Sequence, residues 1–233
     1  MNQSPEQLME TEYLADNHEK IDSYFGTFFD FMRSSLASGG SELGLGMTLF
    51  SLVVSTKSTR ILEIGRFKGF STLCLANALK FLSIGWQEPQ QHKQRPEINY
   101  SEFDKPIKGK LYSIDPCPTV ESQNLITLAK LEEYVEFINA RSDEVTFQEE
   151  FDFIFIDGDH SYAGCKADVL NYIPWYLRSG GYFVLHDYYG WYTPDRQNNS
   201  PVKMVIDEII EEGLCEQILI DTGYMSFVVF RKW

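Results

Sequence analysis

Residues 60–72 read Arg60-Ile61-Leu62-Glu63-Ile64-Gly65-Arg66-Phe67-Lys68-Gly69-Phe70-Ser71-Thr72. The first five make a short β-rich run, glycines follow at a four-residue spacing, and a helical apolar pattern runs from Ser71 to Phe81. Strand, glycine turn and helix in that order form the opening unit of a parallel α/β sheet. Glycines let the backbone turn sharply and approach a ligand, and the helix that follows presents free N–H groups from its first turn. The spacing is G-x-x-x-G, not the dinucleotide G-x-G-x-x-G, and no G-x-x-x-x-G-K-[ST] phosphate loop occurs. By itself such a turn serves equally well as a tight connection.

Outward from this stretch the alternation continues. The sequence predicts strands at Leu111–Ile114, Val135–Ile138, Phe153–Ile156 and Tyr182–Leu185. It predicts helices at Leu43–Val54, Ser122–Leu131, Tyr162–Leu177 and Val202–Glu212. Near-continuous apolar strands imply helices on both sheet faces. Gln217–Ile220 and Met225–Phe230 flank Asp221-Thr222-Gly223-Tyr224, a hairpin pattern. The expected fold is α/β: a doubly wound, mostly parallel seven-stranded sheet with an antiparallel edge hairpin. Apolar residues between Pro5 and Ala37 recur at helical spacing, which gives an N-terminal helical extension over 1–55 before a domain over 56–233. Residues 83–110 are polar and rich in Gln and Pro, and read as a surface insertion.

Composition narrows the function classes. The chain of 233 residues carries 20 Lys and Arg against 34 Asp and Glu, a net charge of -14 that repels a polyanion, so no nucleic-acid partner is expected. Its four cysteines, Cys74, Cys117, Cys165 and Cys215, stand far apart with no C-x-x-C pair, which fits a reducing compartment. No apolar run approaches the ~20 residues of a membrane span. The opening MNQSPEQLME lacks the basic-then-apolar order of a signal peptide. A cytoplasmic protein without a membrane partner is the expectation, and a homo-oligomer is compatible with it.

In open α/β sheets ligands bind beyond the carboxyl ends of the strands. After the second strand stands Asp115-Pro116, where a carboxylate can accept ribose hydroxyls or cap the next helix. After the third, Arg141-Ser142-Asp143 offers polar groups that face a base edge or serve as an N-cap. The fourth strand ends in Asp157-Gly158-Asp159-His160-Ser161-Tyr162, and the fifth in His186-Asp187-Tyr188. Two of the four histidines thus fall beside carboxylates at neighbouring strand ends. His18 and His92 have no such company and read as solvated.

Three blocks, 62–72, 156–162 and 180–188, resemble the class I S-adenosylmethionine-dependent methyltransferases, a Rossmann-like fold. The likeness is greatest to small-molecule O-methyltransferases: the catechol O-methyltransferase type and the bacterial group with a D-G-D-H-S-Y signature. The resemblance implies that Glu63, Gly65, Phe67, Gly69 and Ser71 wrap the methionine part of S-adenosylmethionine. It further implies that Asp115 holds the ribose hydroxyls, that Ser142 approaches the adenine, and that Asp157 borders the cofactor. Asp157, His186 and Asp187 fall at the metal-ligand positions of cation-dependent members, and His160 stands where the catechol type carries a lysine base. His186 replaces a carboxylate there, so the implied divalent cation is Mg or a transition metal, imidazole favouring the latter.

The resulting expectation is an enzyme transferring a methyl group to a hydroxyl of a small molecule, with His160 and Asp157 as catalytic residues. The aromatic run Tyr188-Tyr189-Gly190-Trp191-Tyr192 either helps to build the acceptor pocket or packs onto the sheet edge. Rival readings are a hydroxylase-like or nucleotide-sugar enzyme on the same scaffold, and a non-catalytic ligand-binding protein that kept the cofactor cleft.

Overall fold

The run Arg60–Ile64 forms strand β1, and Ile61, Leu62, Glu63 and Ile64 are all buried, as in a strand covered on both faces. A computed structural model describes residues 43–84, 106–189, 200–221 and 226–233. The helical reading at 5–37, most of the 83–110 insertion, His18, His92, the aromatic run beyond Tyr189 and most of the hairpin turn lie outside the described residues.

In chain order the elements are α1 (Leu43–Thr56), β1 (Arg60–Ile64), α2 (Phe70–Ile84), β2 (Lys110–Ile114), α3 (Val120–Leu128), β3 (Val135–Ile138), β4 (Phe151–Ile156), α4 (Tyr162–Tyr176), β5 (Leu177–His186), α5 (Pro201–Glu211), β6 (Cys215–Asp221) and β7 (Phe227–Lys232). The strands form one seven-stranded sheet in the order β3-β2-β1-β4-β5-β7-β6. The first five are mutually parallel, and β7 runs antiparallel between β5 and β6. The expected Rossmann-like architecture with an antiparallel edge is the observed one. Among the described residues no helix is long and apolar enough to cross a membrane.

The chain winds from β1 outward to β3, then starts again at β4 on the other side of β1, so the topological switch lies between β1 and β4. Register makes the ends level: Ile64 pairs with Ile114 and Ile156, Ile114 with Ile138, and Ile156 with Leu185. The residues that follow these positions therefore meet along one rim.

Two apolar cores cover the sheet. Leu45, Leu49 and Val53 of α1 join Leu73, Leu75 and Leu79 of α2 on one face. Val169, Tyr172 and Ile173 of α4 join Val205, Ile206 and Ile209 of α5 on the other. Helix α1, read as part of the extension, thus contributes to the core of the sheet. It approaches α2 closely: a Cβ at Gly46 would lie 2.7 Å from Phe70 Cζ and 2.8 Å from Cys74 Sγ.

Strand β5 is longer than the apolar run that predicts it. Arg178-Ser179-Gly180-Gly181 has no strand-like side chains, yet Leu177 pairs with Phe151 and extends both strands backward. Helix α3 starts earlier than expected because Thr119 Oγ1 accepts the N–H of Ser122 at 3.2 Å. Asp115 is therefore not the cap of that helix.

Candidate active site

A cavity of about 800 Å³ opens at the switch point, within the roughly 300–1,000 Å³ usual for small-molecule sites. Gly65, Phe67 and Ser71 line it, with Asp115, Ser142, Asp157, His160, His186 and Asp187. Glu63 and Gly69, the other predicted loop residues, lie behind the wall rather than on it.

Each loop residue has a physical reason for its place. Gly65 adopts φ +84° and donates its N–H to Ile114 O at 2.9 Å; a Cβ there would collide with the carbonyl oxygen of Asp157. Phe67 holds a left-handed φ of +43° and leaves its ring 61 % exposed on the rim. Glu63 is wholly buried; its Oε2 accepts Thr72 Oγ1–H at 2.6 Å and Ser113 Oγ–H at 2.5 Å, which ties β1, α2 and β2 together. Burial raises its carboxyl above the ordinary range, against those hydrogen bonds and the charge of Arg66.

Asp115 organises the β2 side of the cavity. Its Oδ2 accepts the N–H groups of Arg66 at 3.0 Å and Phe67 at 3.1 Å, and its Oδ1 accepts Cys117 N–H at 2.7 Å. The carboxylate thus holds the glycine loop while still facing the cavity. Ser142 begins a short 3-10 turn, and its hydroxyl donates to Asp168 Oδ1 at 2.5 Å instead of capping.

Beyond β4 and β5 the titratable groups converge. Asp157 Oδ1 faces His160 Nε2 at 3.1 Å and His186 Nδ1 at 3.0 Å. Asp187 Oδ2 lies 3.3 Å from the same His160 nitrogen and 3.6 Å from the same His186 nitrogen. Asp187 itself sits at a left-handed φ of +54°, a strained conformation for a side chain other than glycine. Asp157 and Asp187 flank the His160 imidazole. Asp159 accepts Ser161 N–H at 2.9 Å at the start of α4.

Burial pushes the Asp157 carboxyl up, but the charge of His186 and the hydrogen bonds from both imidazoles outweigh it and hold the group at about 2. Burial raises Asp187, and the neighbouring Asp157 charge adds to it against the two imidazoles. The hydrogen bond to Asp157 raises His160, supported by both carboxylate charges against burial and the His186 charge. Nε2 of His160 is thus directed at both carboxylates. Separately, donor atoms of Asp157, His186 and Asp187 lie within 4.8 Å of one another, close enough to share one cation.

Two site residues escape sequence reasoning. Arg66 is only 2 % exposed although it stands between loop glycines, and Asp168 on α4 is 4 % exposed beneath Ser142. Residue type argues against burial for both, so no pattern signals them. Tyr188 is buried in the core beneath the sheet and packs on Tyr189 at 4.7 Å between ring centroids, so it supports the rim from below.

The profile of a family described as a methyltransferase domain matches residues 62–188. No curated protein matches the chain significantly. Solved structures are similar in fold. An O-methyltransferase from Bacillus cereus in complex with SAH shares 18% identity over 89% of this chain and 91% of that chain, with a TM-score of 0.62. A SAH-bound methyltransferase from Podospora anserina shares 16% over 100% and 98%, TM-score 0.63. An O-methyltransferase from Streptomyces achromogenes involved in tomaymycin synthesis, in complex with SAM, shares 18% over 91% and 96%, TM-score 0.57. The three matched sequence blocks, the level strand ends and a family match across more than half of the residues agree: the chain belongs to the methyltransferase domain family.

Proposed function

We propose that this methyltransferase moves a methyl group from S-adenosylmethionine to a hydroxyl of a small molecule. The observation that carries the reading is the placement of Asp115 and His160 on one cavity, on either side of β1. One group suits a ribose, the other a hydroxyl proton. The acidic chain opposes a polyanionic acceptor.

The residues present fit the cofactor. Gly65, Phe67 and Ser71 flank its methionine part, while Glu63 and Gly69 shape the loop from behind. Asp115 faces the ribose. Ser142, its proton committed to Asp168, keeps oxygen lone pairs for the adenine amino group. Asp157 stands where the cofactor half meets the acceptor half. When bound, the cofactor supplies an electrophilic methyl group on a sulfonium sulfur.

The protein's own residues then position the nucleophile and manage its proton. Nδ1 of His160 takes the hydroxyl proton, and Asp157 and Asp187 stabilise the imidazolium that forms. General-base catalysis of this kind contributes about 10²–10⁴ in rate, and in-line placement of the oxygen contributes further. Asp157, His186 and Asp187 also fit a divalent cation. Because imidazole is among the donors, a transition metal suits them better than Mg. Bound there, it would supply Lewis acidity that makes the acceptor oxygen more anionic.

Incubation with methyl-labelled S-adenosylmethionine and matched panels of hydroxyl, amine and thiol acceptors tests the reading. Label transferred to a hydroxyl compound supports it. Cofactor binding without turnover on any panel would favour a non-catalytic ligand-binding protein.

A further inference from the structure

Arg66 is a buried cation inside the glycine loop. Its backbone N–H donates to Asp115 Oδ2, and its buried side chain runs to the ends of β2 and β3. Nη1 donates to Ser113 O at 2.8 Å and reaches Ile138 O at 3.5 Å, Nη2 donates to Asn139 Oδ1, and the guanidinium stands 4.9 Å from the Phe137 ring centroid. The second residue after β1 thereby grips the ends of β2 and β3.

The arrangement is costly as mere filling. A buried guanidinium loses hydration, and among the described residues Nε finds no acceptor. An apolar side chain of similar size would fill the same space without that penalty. The cation is matched instead by nearby carboxylates, Asp115 and Glu63.

Asp115 explains the need. A carboxylate offers about four lone-pair positions, and the amides of Arg66, Phe67 and Cys117 occupy three of them. On this count one position on Oδ1 remains, and Asp115 lines the cavity.

We propose that Arg66 is a positioning residue for nucleoside recognition: by clamping the ends of β1, β2 and β3 it aims the last free lone pair of Asp115 at a single ribose hydroxyl of the cofactor. The inference rests on the reading of the cavity as an S-adenosylmethionine site, and it narrows the role expected of Asp115 from two hydroxyls to one.

Calorimetric titration of the full chain with S-adenosylhomocysteine and with its 2′-deoxy and 3′-deoxy analogues tests it. In the unmodified protein one of the two analogues binds about tenfold or more weakly than the parent ligand, and the other nearly as well. In Arg66→Met that preference shrinks to less than about threefold, because the deoxy analogue, which does not use the lone pair, keeps its affinity. Arg66→Lys, which retains the charge but not the forked geometry, gives an intermediate ratio and serves alone if the methionine variant does not fold. A purely structural role would weaken all three ligands by one common factor and leave the ratio unchanged, which overturns the proposal. Equal loss with both analogues in the unmodified protein also overturns it. Failure of the unmodified protein to bind S-adenosylhomocysteine would overturn the reading of the cavity, and this inference with it.

Discussion

His160 Nε2 lies 3.1 Å from Asp157 Oδ1, the same oxygen that His186 Nδ1 approaches at 3.0 Å. One carboxylate oxygen therefore orients two imidazoles at the ends of neighbouring strands. His160 is the more exposed of the two, with half of its side chain open to the cavity, so it is the one able to meet a substrate.

Replacing His160 by Ala removes the proposed base and leaves Asp115 and the glycine loop untouched. The rate is expected to fall by about 10²–10⁴, with S-adenosylhomocysteine affinity and melting temperature nearly unchanged. Steady-state kinetics, calorimetry and thermal denaturation on one preparation check all three. Turnover within a few-fold of the parent would remove His160 from the mechanism.

Asp115→Ala acts on a different quantity. It takes the acceptor from three backbone amides and from the proposed ribose contact together, so cofactor binding is expected to weaken by about 1.5–3 kcal/mol and the loop to lose rigidity. Titration of the variant with S-adenosylhomocysteine, beside proteolysis of the glycine loop, reads both effects. Unchanged affinity would place the ribose elsewhere.

The three-donor cluster predicts a response to chelation. Exhaustive removal of divalent ions lowers the rate, and a borderline transition metal restores it better than Mg, because His186 supplies nitrogen where a Mg site would favour oxygen. Elemental analysis together with isothermal titration of the metal-free protein reports the ion independently of activity. Full activity after chelation, with no metal found, contradicts this part of the account.

Far from the site, Asp152 fastens β4 to the start of β1. Its Oδ2 accepts Thr59 N–H at 2.8 Å, Thr59 Oγ1–H at 2.9 Å and Arg60 N–H at 2.9 Å, while Oδ1 accepts Arg178 Nε–H at 2.6 Å. Burial works against the charge, but these bonds outweigh it and lower the carboxyl below its ordinary value. A lowered folded-state value means stability that is present above the unfolded value of about 3.9 and lost as pH falls through the folded one. Asp152→Asn should cost about 1–3 kcal/mol at neutral pH, and the gap to the parent should close in acid. Urea denaturation across pH 3 to 7 measures this; a gap independent of pH would show that the charge plays no part.

Much of the fold was legible because its five parallel strands are continuous apolar runs, and a strand buried on both faces leaves few other readings of such a run. The first half of β5 was not legible: Arg178, Ser179 and the two glycines that follow carry no strand preference, and only pairing of Leu177 with Phe151 recruits them. In the site, Asp157, His160, His186 and Asp187 were legible together because each stands within four residues of an identifiable strand end. Arg66 and Asp168 were not. A charged residue in a loop or on a helix is expected to face water, and only the tertiary partners of these two, Ser113, Ile138, Asn139 and Ser142, bring them inside.

Direct calorimetry of the protein with S-adenosylmethionine, S-adenosylhomocysteine and NAD tests the proposal that the cavity at the switch point binds a sulfonium nucleoside. Saturable binding of the first two, weakened in Asp115→Ala, and no heat from NAD are expected. Tight binding of NAD with no response to either sulfur nucleoside would contradict it.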